Sequence, residues 1–384
     1  MMLFTQNENL GVLWETQETN YPYIRVTDFN DFGSIDLNNI QYITEDIYNE
    51  IKNYIISKDD IYISIAGTIG KTGIIPNELD GANLTENAAK FVFDNSKYDK
   101  FFLLYFTNSI PFLEQIGLAT KTVAMSKLAL TRLKEVEIPL PPFEEQKRIV
   151  AKLDILFEKI DKAIALHQKN IDEADIFIAS VLNDVFVELE EKYEKIPLFD
   201  VADVNRGKSK HRPRNDKKLF GGNYPFIQTG DVRNANKYID TFSETYSEFG
   251  LSQSKLWKKG TICMTIAANI GDVAILNIDS CFPDSVVGIY SENNSNDFLY
   301  YFLLTLKQQL ESQATTTAQM NINLKVLQTI GVPLPPVKNQ QKVVSYLDEI
   351  SQKVEKIKQI QKEKMQSLKE LKVSILDQAF RGEL

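Results

Sequence analysis

The chain has few of the residues that usually build disulfide, metal and catalytic sites. Only two cysteines and two histidines occur among its 384 residues, which disfavours a disulfide framework, a zinc cluster and a histidine-based triad. Its apolar stretch from Phe101 to Phe106 is far shorter than the roughly 20 residues that a membrane span needs. The beginning of the sequence lacks a basic region followed by an apolar segment, so a signal peptide is not expected. These absences predict a cytoplasmic protein without a membrane partner.

The bulk composition is that of an ordinary globular protein. Hydrophobic residues make up 43% and charged residues 25% of the chain, and its length predicts two or three domains. The formal net charge is −9, which by itself argues against a polyanionic partner. Because the positive charges are unevenly distributed, local clusters matter more than this sum.

One stretch of sequence occurs twice. PLPPFEEQKRIVAKLD begins at Pro139, and PLPPVKNQQKVVSYLD begins at Pro333. The register then holds without a gap as far as Phe186 and Phe380, which is longer than a chance match of prolines and leucines would last. Internal repetition of this kind indicates a duplicated structural unit. The function must therefore suit a molecule with two similar halves.

A long helix is predicted after each PLPP segment. Apolar residues recur at heptad spacing over several heptads, with Gln146 and Gln340 at the first a positions. We predict that the two helices pair antiparallel within the chain as a coiled coil. His167 and Gln361 share an a position near the middle of the helices, where a polar pair would fix the register. A catalytic role for His167 is the less favoured alternative.

Each half also contains a globular region in which strands and helices alternate. Asp60 to Ile75 and Thr261 to Leu276 both read as two strands joined by a turn with glycine. The predicted fold class is therefore α+β, with two similar mixed domains separated by the two helices in a pseudo-two-fold repeat. The predicted segments are a first globular domain over 1–142, a central helix over 143–192, a second globular domain over 193–336 and a C-terminal helix over 337–384.

Two stretches imitate enzyme motifs without completing them. Gly70-Lys71-Thr72 resembles the end of a phosphate-binding loop, but Ile65 stands where that loop needs its first glycine. Asp284 and Glu292 could form the carboxylate pair of a nuclease, but Asn294 replaces the lysine that such a site needs. The sequence therefore predicts binding rather than catalysis.

A basic loop after the central helix is the first candidate binding element. Lysines and arginines dominate the segment from Arg206 to Lys218, and Gly207 and Pro213 predict that it is irregular and flexible. Cations of this kind contact phosphates, and Arg, Asn, Gln and Lys read base edges. A solvated charged loop is the alternative. The residues predicted to contact DNA are Arg206, Lys208, Lys210, Arg212 and Arg214, followed after the next strand by Arg233 and Asn236.

Polar clusters at equivalent places in the two halves favour binding over the solvated loop. Hydroxyl and amide groups concentrated at matching positions suit two surfaces with the same task. The residues concerned are Lys121 and Thr122 in the first half and Thr316, Thr317, Gln319 and Asn321 in the second.

With these residues in view, the chain resembles the specificity subunit of a type I restriction-modification enzyme over essentially its whole length. The most specific shared parts are the two PLPP openings, the hairpins IAGTIGKTGII and IAANIGDVAIL, and the ending AFRGEL. The resemblance implies two target recognition domains, each reading one half of a split site in double-stranded DNA. It also implies that the paired helices set the spacing between the half-sites and dock two methyltransferase subunits.

The same resemblance implies that this chain is not itself an enzyme. Adenine methylation and DNA cleavage would belong to the methyltransferase subunits and to restriction/translocase subunits where these are present. S-adenosylmethionine, ATP and Mg²⁺ would be bound by those partners, and this chain would bind no cofactor and no metal. The acidic net charge fits this arrangement, because basic partners would share the phosphate contacts.

The family pattern adds candidate DNA contacts to those found from charge. It implies contacts after the first core strand of each domain, at the hairpin tips and in the polar loops. The residues added are Arg25, Thr27, Thr68 and Lys71 in the first half and Gln228, Thr229 and Asn269 in the second.

The two halves differ at their beginnings. The strand-like segment PLFDVADVNRG precedes the second domain, and no similar segment precedes the first. We therefore expect the first domain to lack an edge strand and part of the basic loop. A translation start upstream of Met1, or a rearrangement of the gene, would explain this difference.

Two other functions stay open at this point. A two-headed coiled-coil DNA-binding adaptor outside restriction-modification predicts that no methyltransferase binds the chain. An enzyme with a cryptic nuclease centre predicts metal-dependent DNA cleavage by the purified chain alone.

Overall fold

The chain divides into two units that each combine one globular domain with parts of both long helices. The computed structural model describes residues 2–4, 19–30, 33–117, 127–267, 270–315 and 322–384. The first unit comprises Met1–Gln168 and Lys362–Leu384, and the second comprises Lys169–Gln361. Among the helices that the structure describes, none combines the length and the hydrophobicity needed to cross a membrane.

The first unit is built on a sheet backed by helices. Its elements are β1 (Met2–Phe4), β2 (Pro22–Ile24), β3 (Gln41–Tyr42), α1 (Glu45–Glu50), β4 (Ile61–Ser64), β5 (Thr72–Ile74), β6 (Asn83–Leu84), β7 (Ala88–Val92), α2 (Lys100–Thr107), α3 (Ile110–Gln115), α4 (Leu130–Lys134) and the start of the long helix α5 (Phe143–Lys192). The main sheet has the order β1-β7-β4-β5, and a smaller one has the order β3-β2-β6. Strands β4 and β5 are antiparallel neighbours, which confirms the predicted hairpin.

The second unit repeats this plan with additional strands. Its elements after α5 are β8 (Lys195–Pro197), α6 (Leu198–Val201), β9 (Asp203–Arg206), β10 (Phe220–Phe226), α7 (Thr229–Asn234), β11 (Tyr238–Ile239), β12 (Glu244–Tyr246), α8 (Glu248–Ser252), β13 (Ile262–Thr265), β14 (Val273–Leu276), β15 (Val286–Tyr290), α9 (Asn296–Thr305), α10 (Lys307–Thr315), α11 (Leu324–Gln328), β16 (Gly331–Pro333) and the long helix α12 (Val337–Arg381). The main sheet has the order β11-β14-β13-β15-β9, β10 pairs with β12, and β16 pairs with β8. The antiparallel pair β13–β14 confirms the second predicted hairpin.

Both main sheets have the edge strand that was expected only in the second. Strand β9 pairs antiparallel with β15, and β1 pairs in the same way with β7, the counterpart of β15. The expectation that the first domain lacks this strand is wrong. The strand has only three residues, too few to show an alternating pattern in the sequence. The segment between β1 and β2 contains no lysine or arginine, and β8 has no counterpart among the described strands of the first unit.

A buried glutamine attaches the start of α5 to the first globular domain. The side chain of Gln146 is 0% exposed. Its Oε1 accepts a hydrogen bond from the N–H of Asp99 (2.8 Å), and its Nε2 donates to the carbonyls of Lys97 (2.8 Å) and Pro141 (3.0 Å). Pro141 belongs to the PLPP segment, so this one amide joins that segment, the start of α2 and the start of α5.

Gln340 attaches α12 to the second domain in the same way. It is also 0% exposed, accepts from the N–H of Ser295 (2.9 Å), and donates to Asn294 Oδ1 (3.0 Å) and the Pro335 carbonyl (2.9 Å). Both glutamines were predicted at a positions between the paired helices. That assignment is wrong for the first turn of each helix, because each glutamine binds its own globular domain.

Aromatic residues attach the C-terminal end of α12 to the first domain and the C-terminal end of α5 to the second. In the first unit, Phe380 of α12 packs against Phe102 and Phe106 of α2, with ring centroids 5.1 and 5.4 Å apart. In the second unit, Phe186 of α5 packs against two phenylalanine rings of α9 at 5.4 and 5.5 Å. Each domain is therefore held by the start of one long helix and the end of the other.

The long helices run antiparallel within the first unit. Arg148 Nη2 of α5 donates to the carbonyl of Leu384 (3.2 Å), which follows α12, whereas Asp161 further along α5 binds Lys372 Nζ (2.9 Å). The partner's residue number falls as the number along α5 rises, as antiparallel helices require. This observation confirms the predicted direction of pairing.

The same direction holds in the second unit. Asn170 Nδ2 donates to Gln361 Oε1 (3.3 Å), and Asp175 binds Lys358 Nζ (2.7 Å). The side chain of Lys358 is 18% exposed. Its partner Asp175 is 57% exposed, so solvent screens the pair and its contribution to stability is small. The pair marks the register of α5 against α12.

We expect Gln340→Ala to lower the free energy of unfolding by about 2–3 kcal/mol. The substitution removes the partners of the Ser295 N–H and the Pro335 carbonyl, and buried polar groups without partners are costly. Gln341→Ala is the matched control, because the next residue along the helix is exposed and should change stability by less than about 0.5 kcal/mol. Urea unfolding followed by circular dichroism measures both variants. Equal stabilities would contradict the anchoring role of Gln340.

Candidate nucleic-acid interface

The tip of each predicted hairpin is closed by a hydroxyl group. Ser64 Oγ accepts a hydrogen bond from the N–H of Lys71 (2.9 Å), and Thr265 Oγ1 accepts from the N–H of Asp272 (3.1 Å). The backbone at the two tips is therefore built alike, although a lysine in one half stands where the other has an aspartate. Asp272 binds Lys307 Nζ (2.6 Å), so the two tips differ in local charge.

The polar loops re-enter the fold beside these tips. After the first loop, the N–H of Leu128 donates to the Ile65 carbonyl (2.8 Å); after the second, the N–H of Ile322 donates to the Ile266 carbonyl (2.9 Å). Arg206 Nη2 donates to the carbonyl of Ile322 (3.3 Å), which joins the end of β9 to the same region. The predicted contacts that lie outside the described residues are Lys121, Thr122, Asn269, Thr316, Thr317, Gln319 and Asn321.

A second shared feature is the helical turn after the first core strand. The N–H of Arg25 donates to Asp28 Oδ2 (2.7 Å), and the N–H of Gln228 donates to Asp231 Oδ2 (2.7 Å). The side chains at the two equivalent positions differ. The Arg25 guanidinium binds Asp28 Oδ1 (2.7 Å) and the carbonyl of Asn39 (2.8 Å), so its charge is already compensated within the domain.

The other predicted contacts of the first domain surround this turn and the hairpin tip. Thr27 and Thr68 are exposed. Lys71 Nζ lies 3.4 Å from the carbonyl of Phe29, at the end of the helical turn. The fold thus brings together the turn and the tip, which the sequence could only predict separately.

The second unit contains a cleft of about 670 Å³ beside the Gln228 turn. Gln228 and Thr229 line it together with two cations of the basic loop, Arg214 and Lys217. Arg214 was predicted from local charge, whereas Gln228 and Thr229 came from the family pattern. Their convergence on one cleft provides an amide, a hydroxyl and positive charge within a single surface.

Stacked aromatic rings support the cleft. Phe226 of β10 and Tyr246 of β12 stack with ring centroids 3.9 Å apart, and the Phe220 ring lies 5.4 Å from Tyr246. Burial raises the pKa of Tyr246 above its ordinary value. Sequence patterns did not indicate that Glu244, Tyr246 and Ser285 also line the cleft. The first two reach it through the pairing of β12 with β10, and Ser285 lies directly before β15.

The basic loop is irregular, as predicted, but it is tied to the domain at several points. The N–H of Gly207 donates to the Val286 carbonyl (2.9 Å), and the N–H of Lys208 donates to the Phe282 carbonyl (3.2 Å). The N–H of Lys210 donates to the carbonyl of Gln253 (3.1 Å) in the same domain. These bonds do not support the prediction that the loop is flexible.

Within the loop, the side chains divide between internal contacts and solvent. Arg212 Nη1 donates to the carbonyls of Ser209 (2.7 Å) and His211 (2.8 Å). The backbone N–H of Lys218 and the ring of His211 hold the pKa of Asp216 below its ordinary value. Lys208 and Lys210 are exposed, so the loop keeps cations available at its surface.

The polar residues after β10 have two different environments. Arg233 and Asn236 are exposed. Lys237 is drawn into the domain, where its Nζ binds Asp297 (2.8 Å) and Asp348 (2.6 Å). Burial favours the neutral amine, but the hydrogen bonds that Nζ donates to both carboxylates raise the pKa of Lys237 above its ordinary value. Lys237 therefore joins the segment after α7 to the long helix.

The two carboxylates considered as a nuclease pair are each held by a cation. Arg214 Nη2 donates to both oxygens of Asp284 (2.9 Å each), and Lys258 Nζ lies 3.2 Å from Glu292. Burial raises the pKa of the two cysteine thiols, which keeps them protonated and unreactive. In the described part of the chain, no three His, Cys, Asp or Glu side chains gather where they could hold a metal ion.

The comparison with known families identifies the chain. A family model described as type I restriction modification DNA specificity domain matches it twice, over residues 13–174 and 190–364. The chain belongs to this family. The two matches correspond to the two halves of the internal repeat, so the duplication seen in the chain is also the repetition of the family domain.

Individual members of the specificity family match the chain along nearly its whole length. It is 27% identical to the putative type I restriction enzyme MjaX specificity subunit of Methanocaldococcus jannaschii over 387 residues, 93% of this chain and 86% of the relative. It is 22% identical to the type I restriction enzyme EcoKI specificity subunit of Escherichia coli over 395 residues, 94% and 82% of the two chains.

Solved structures share the fold of this family member. A chain from a study of the assembly and conformational transition of a type I restriction-modification system superposes with a TM-score of 0.71 at 21% identity, covering 95% of this chain and 92% of the other. The HsdS subunit from Thermoanaerobacter tengcongensis superposes with a TM-score of 0.52 at 22% identity, covering 95% and 91%.

We expect Gly207→Ala to lower the free energy of unfolding of this specificity-family chain by about 2 kcal/mol through overpacking. A Cβ at residue 207 would lie 2.3 Å from the Pro283 carbonyl oxygen and 2.4 Å from that of Phe282. Gly230→Ala in α7 is the control, because its Cβ would meet nothing within 4 Å and alanine favours the helix. Chemical unfolding compares the two variants. A Gly207→Ala chain as stable as Gly230→Ala would show that the loop is not held against Phe282 and Pro283.

Proposed function

We propose that this chain is the DNA specificity subunit of a type I restriction-modification complex. Each globular domain reads one half of a bipartite site in double-stranded DNA. The observation that carries this proposal is the cleft of the second domain, where Arg214, Lys217, Gln228 and Thr229 converge. Phosphates are bound by cations, and base edges are read by amides, hydroxyls and guanidinium groups in the major groove.

The repeated construction supports one half-site for each domain. The hairpin tips closed by Ser64 and Thr265 and the turns capped by Asp28 and Asp231 give the two domains corresponding backbone segments. The side chains at these places differ, as they do at Arg25 and Gln228. The two half-sites are therefore expected to differ in sequence.

The long helices are proposed to set the distance between the half-sites and to dock two methyltransferase subunits. Helix α5 has 50 residues, which at about 1.5 Å per residue corresponds to roughly 75 Å. Buried glutamines and phenylalanines attach the helices to the globular domains, so each domain has a defined orientation on its own helix ends. A spacing device needs such attachment.

The chain itself is proposed to be non-catalytic and to act in the cytoplasm. Adenine methylation would be carried out by the methyltransferase subunits, and cleavage by restriction/translocase subunits where these are present. S-adenosylmethionine, ATP and Mg²⁺ would be bound by those partners. The pairing of Asp284 with Arg214 and of Glu292 with Lys258 supports this division, because both carboxylates of the candidate nuclease pair already bind cations.

Mapping adenine methylation tests the proposal directly. The chain is co-expressed with its methyltransferase subunit, and the modified adenines are mapped across the host DNA. We expect one split motif with a constant gap. A methylated sequence resembling a single half-site would show that only one domain reads DNA. A methyltransferase that fails to co-purify with the chain, together with unmodified DNA, would contradict the proposal and favour a DNA-binding adaptor.

The salt dependence of DNA binding tests the role of the basic loop. Lys210 and Lys217 are exposed, and the structure gives neither ammonium group an ion pair among the described residues. We expect the double variant Lys210→Gln, Lys217→Gln to reduce the slope of log affinity against log salt concentration by about 2, because each lost phosphate contact contributes roughly 0.9. The measurement uses the complex of this chain with methyltransferase subunits, bound to a DNA duplex that carries the mapped motif.

The matched control neutralises Lys258 and Lys259. These lysines precede β13, whereas the hairpin tip follows that strand, so they lie at the opposite end of the sheet. Lys258→Gln, Lys259→Gln should leave the slope unchanged. Equal slopes for the two double variants would remove the basic loop from the DNA interface.

A further inference from the structure

Among the described residues that line the cleft of the second domain, one side chain is acidic and lies among cations and amides. Glu244 begins β12 and pairs in register with Phe226 of β10. Phe226 in turn stacks on Tyr246, two residues beyond Glu244, with ring centroids 3.9 Å apart. The backbone that carries Glu244 is therefore held by both a strand ladder and a buried aromatic stack.

The carboxylate of Glu244 is exposed and is not neutralised by its neighbours. Arg214 lines the same cleft, but it binds both oxygens of Asp284 at 2.9 Å. Among the residues that the structure describes, no cation lies within ion-pair distance of Glu244, and no donor is hydrogen-bonded to it. This carboxylate therefore keeps its acceptor oxygens available for a ligand in the cleft.

An unpaired carboxylate at a DNA surface is unfavourable unless DNA supplies it with a donor. Phosphates offer only negative oxygens, which a carboxylate repels. In the major groove the available donors are the amino groups of cytosine N4 and adenine N6, and carboxylates characteristically accept from cytosine N4. Gln228 lines the same cleft, so the cleft also holds an amide suited to adenine.

We propose that Glu244 is a specificity-determining residue that selects a cytosine in the half-site read by the second domain. The proposal rests on the proposed function of the chain as a DNA specificity subunit. Its carboxylate accepts a hydrogen bond from the N4 amino group of that cytosine. Thymine and guanine present carbonyl oxygens in the major groove instead, so the carboxylate repels them.

The test is a methylation map of the Glu244→Gln variant in the full complex. The motif of the unaltered complex should contain a cytosine in one half-site. In the variant, the preference for cytosine at this position should fall by about tenfold, and sites with adenine there should become methylated, because a glutamine amide pairs with adenine N6 and N7. The other half-site and the gap should not change.

Asp200→Asn is the matched control. Asp200 is an exposed carboxylate of the same unit in α6, and it does not line the cleft. The control removes the same negative charge and should leave the motif as it is. An altered control motif would show that net charge rather than Glu244 determines the base preference, and would overturn the proposal.

The outcomes separate this inference from the function on which it rests. A split motif for the unaltered complex, with the same motif for Glu244→Gln, would overturn the role of Glu244 and leave the proposed function intact. The same holds if neither half-site of the unaltered complex contains a cytosine. Absence of any split motif in the unaltered complex would instead contradict the proposed function itself.

Discussion

The fully buried amides of Gln146 and Gln340 are the constraint on which the arrangement of each unit depends. A buried amide needs partners for its carbonyl oxygen and for its N–H groups, because each unpaired group costs free energy. At both sites the partners come from the PLPP segment and from the start of a helix of the globular domain, α2 in the first unit and α9 in the second. One side chain thereby ties the end of the globular domain to the first turn of the long helix.

Elsewhere, each domain combines a shared backbone with different side chains. The hairpins close through Ser64 and Thr265, and the turns close through Asp28 and Asp231. These side chains hold the backbone by hydrogen bonds, so the side chains at neighbouring positions can differ between the two domains. A duplicated scaffold can thus carry an arginine that is paired internally in one half and a glutamine that faces a cleft in the other.

Periodicity and repetition were sufficient to predict the elements that depend on local sequence. The long helices, the two hairpins and the mixed α+β class followed from heptad spacing, from glycine-containing turns and from the register of the repeat. The antiparallel direction of the helices was implied by the family resemblance, because heptad spacing does not fix direction. The three-residue strand Met2–Phe4 could not be predicted, because its pairing with β7 is a long-range contact. Gln146 and Gln340 were assigned to the helix pair because the heptad pattern continues to the helix start, whereas burial against the globular domain decides where their side chains point.

The sequence by itself determined that the chain is a duplicated unit with two globular domains and two long helices, since repetition and hydrophobic spacing are properties of residue order. Only the tertiary structure decided which polar side chains meet. The pairing of β10 with β12 carries Glu244 to the cleft, and the ties of the basic loop carry Arg214 there, where Asp284 binds it. These residues are far apart in the chain, and the packing of strands and loops, which no local pattern records, brings them to one cleft.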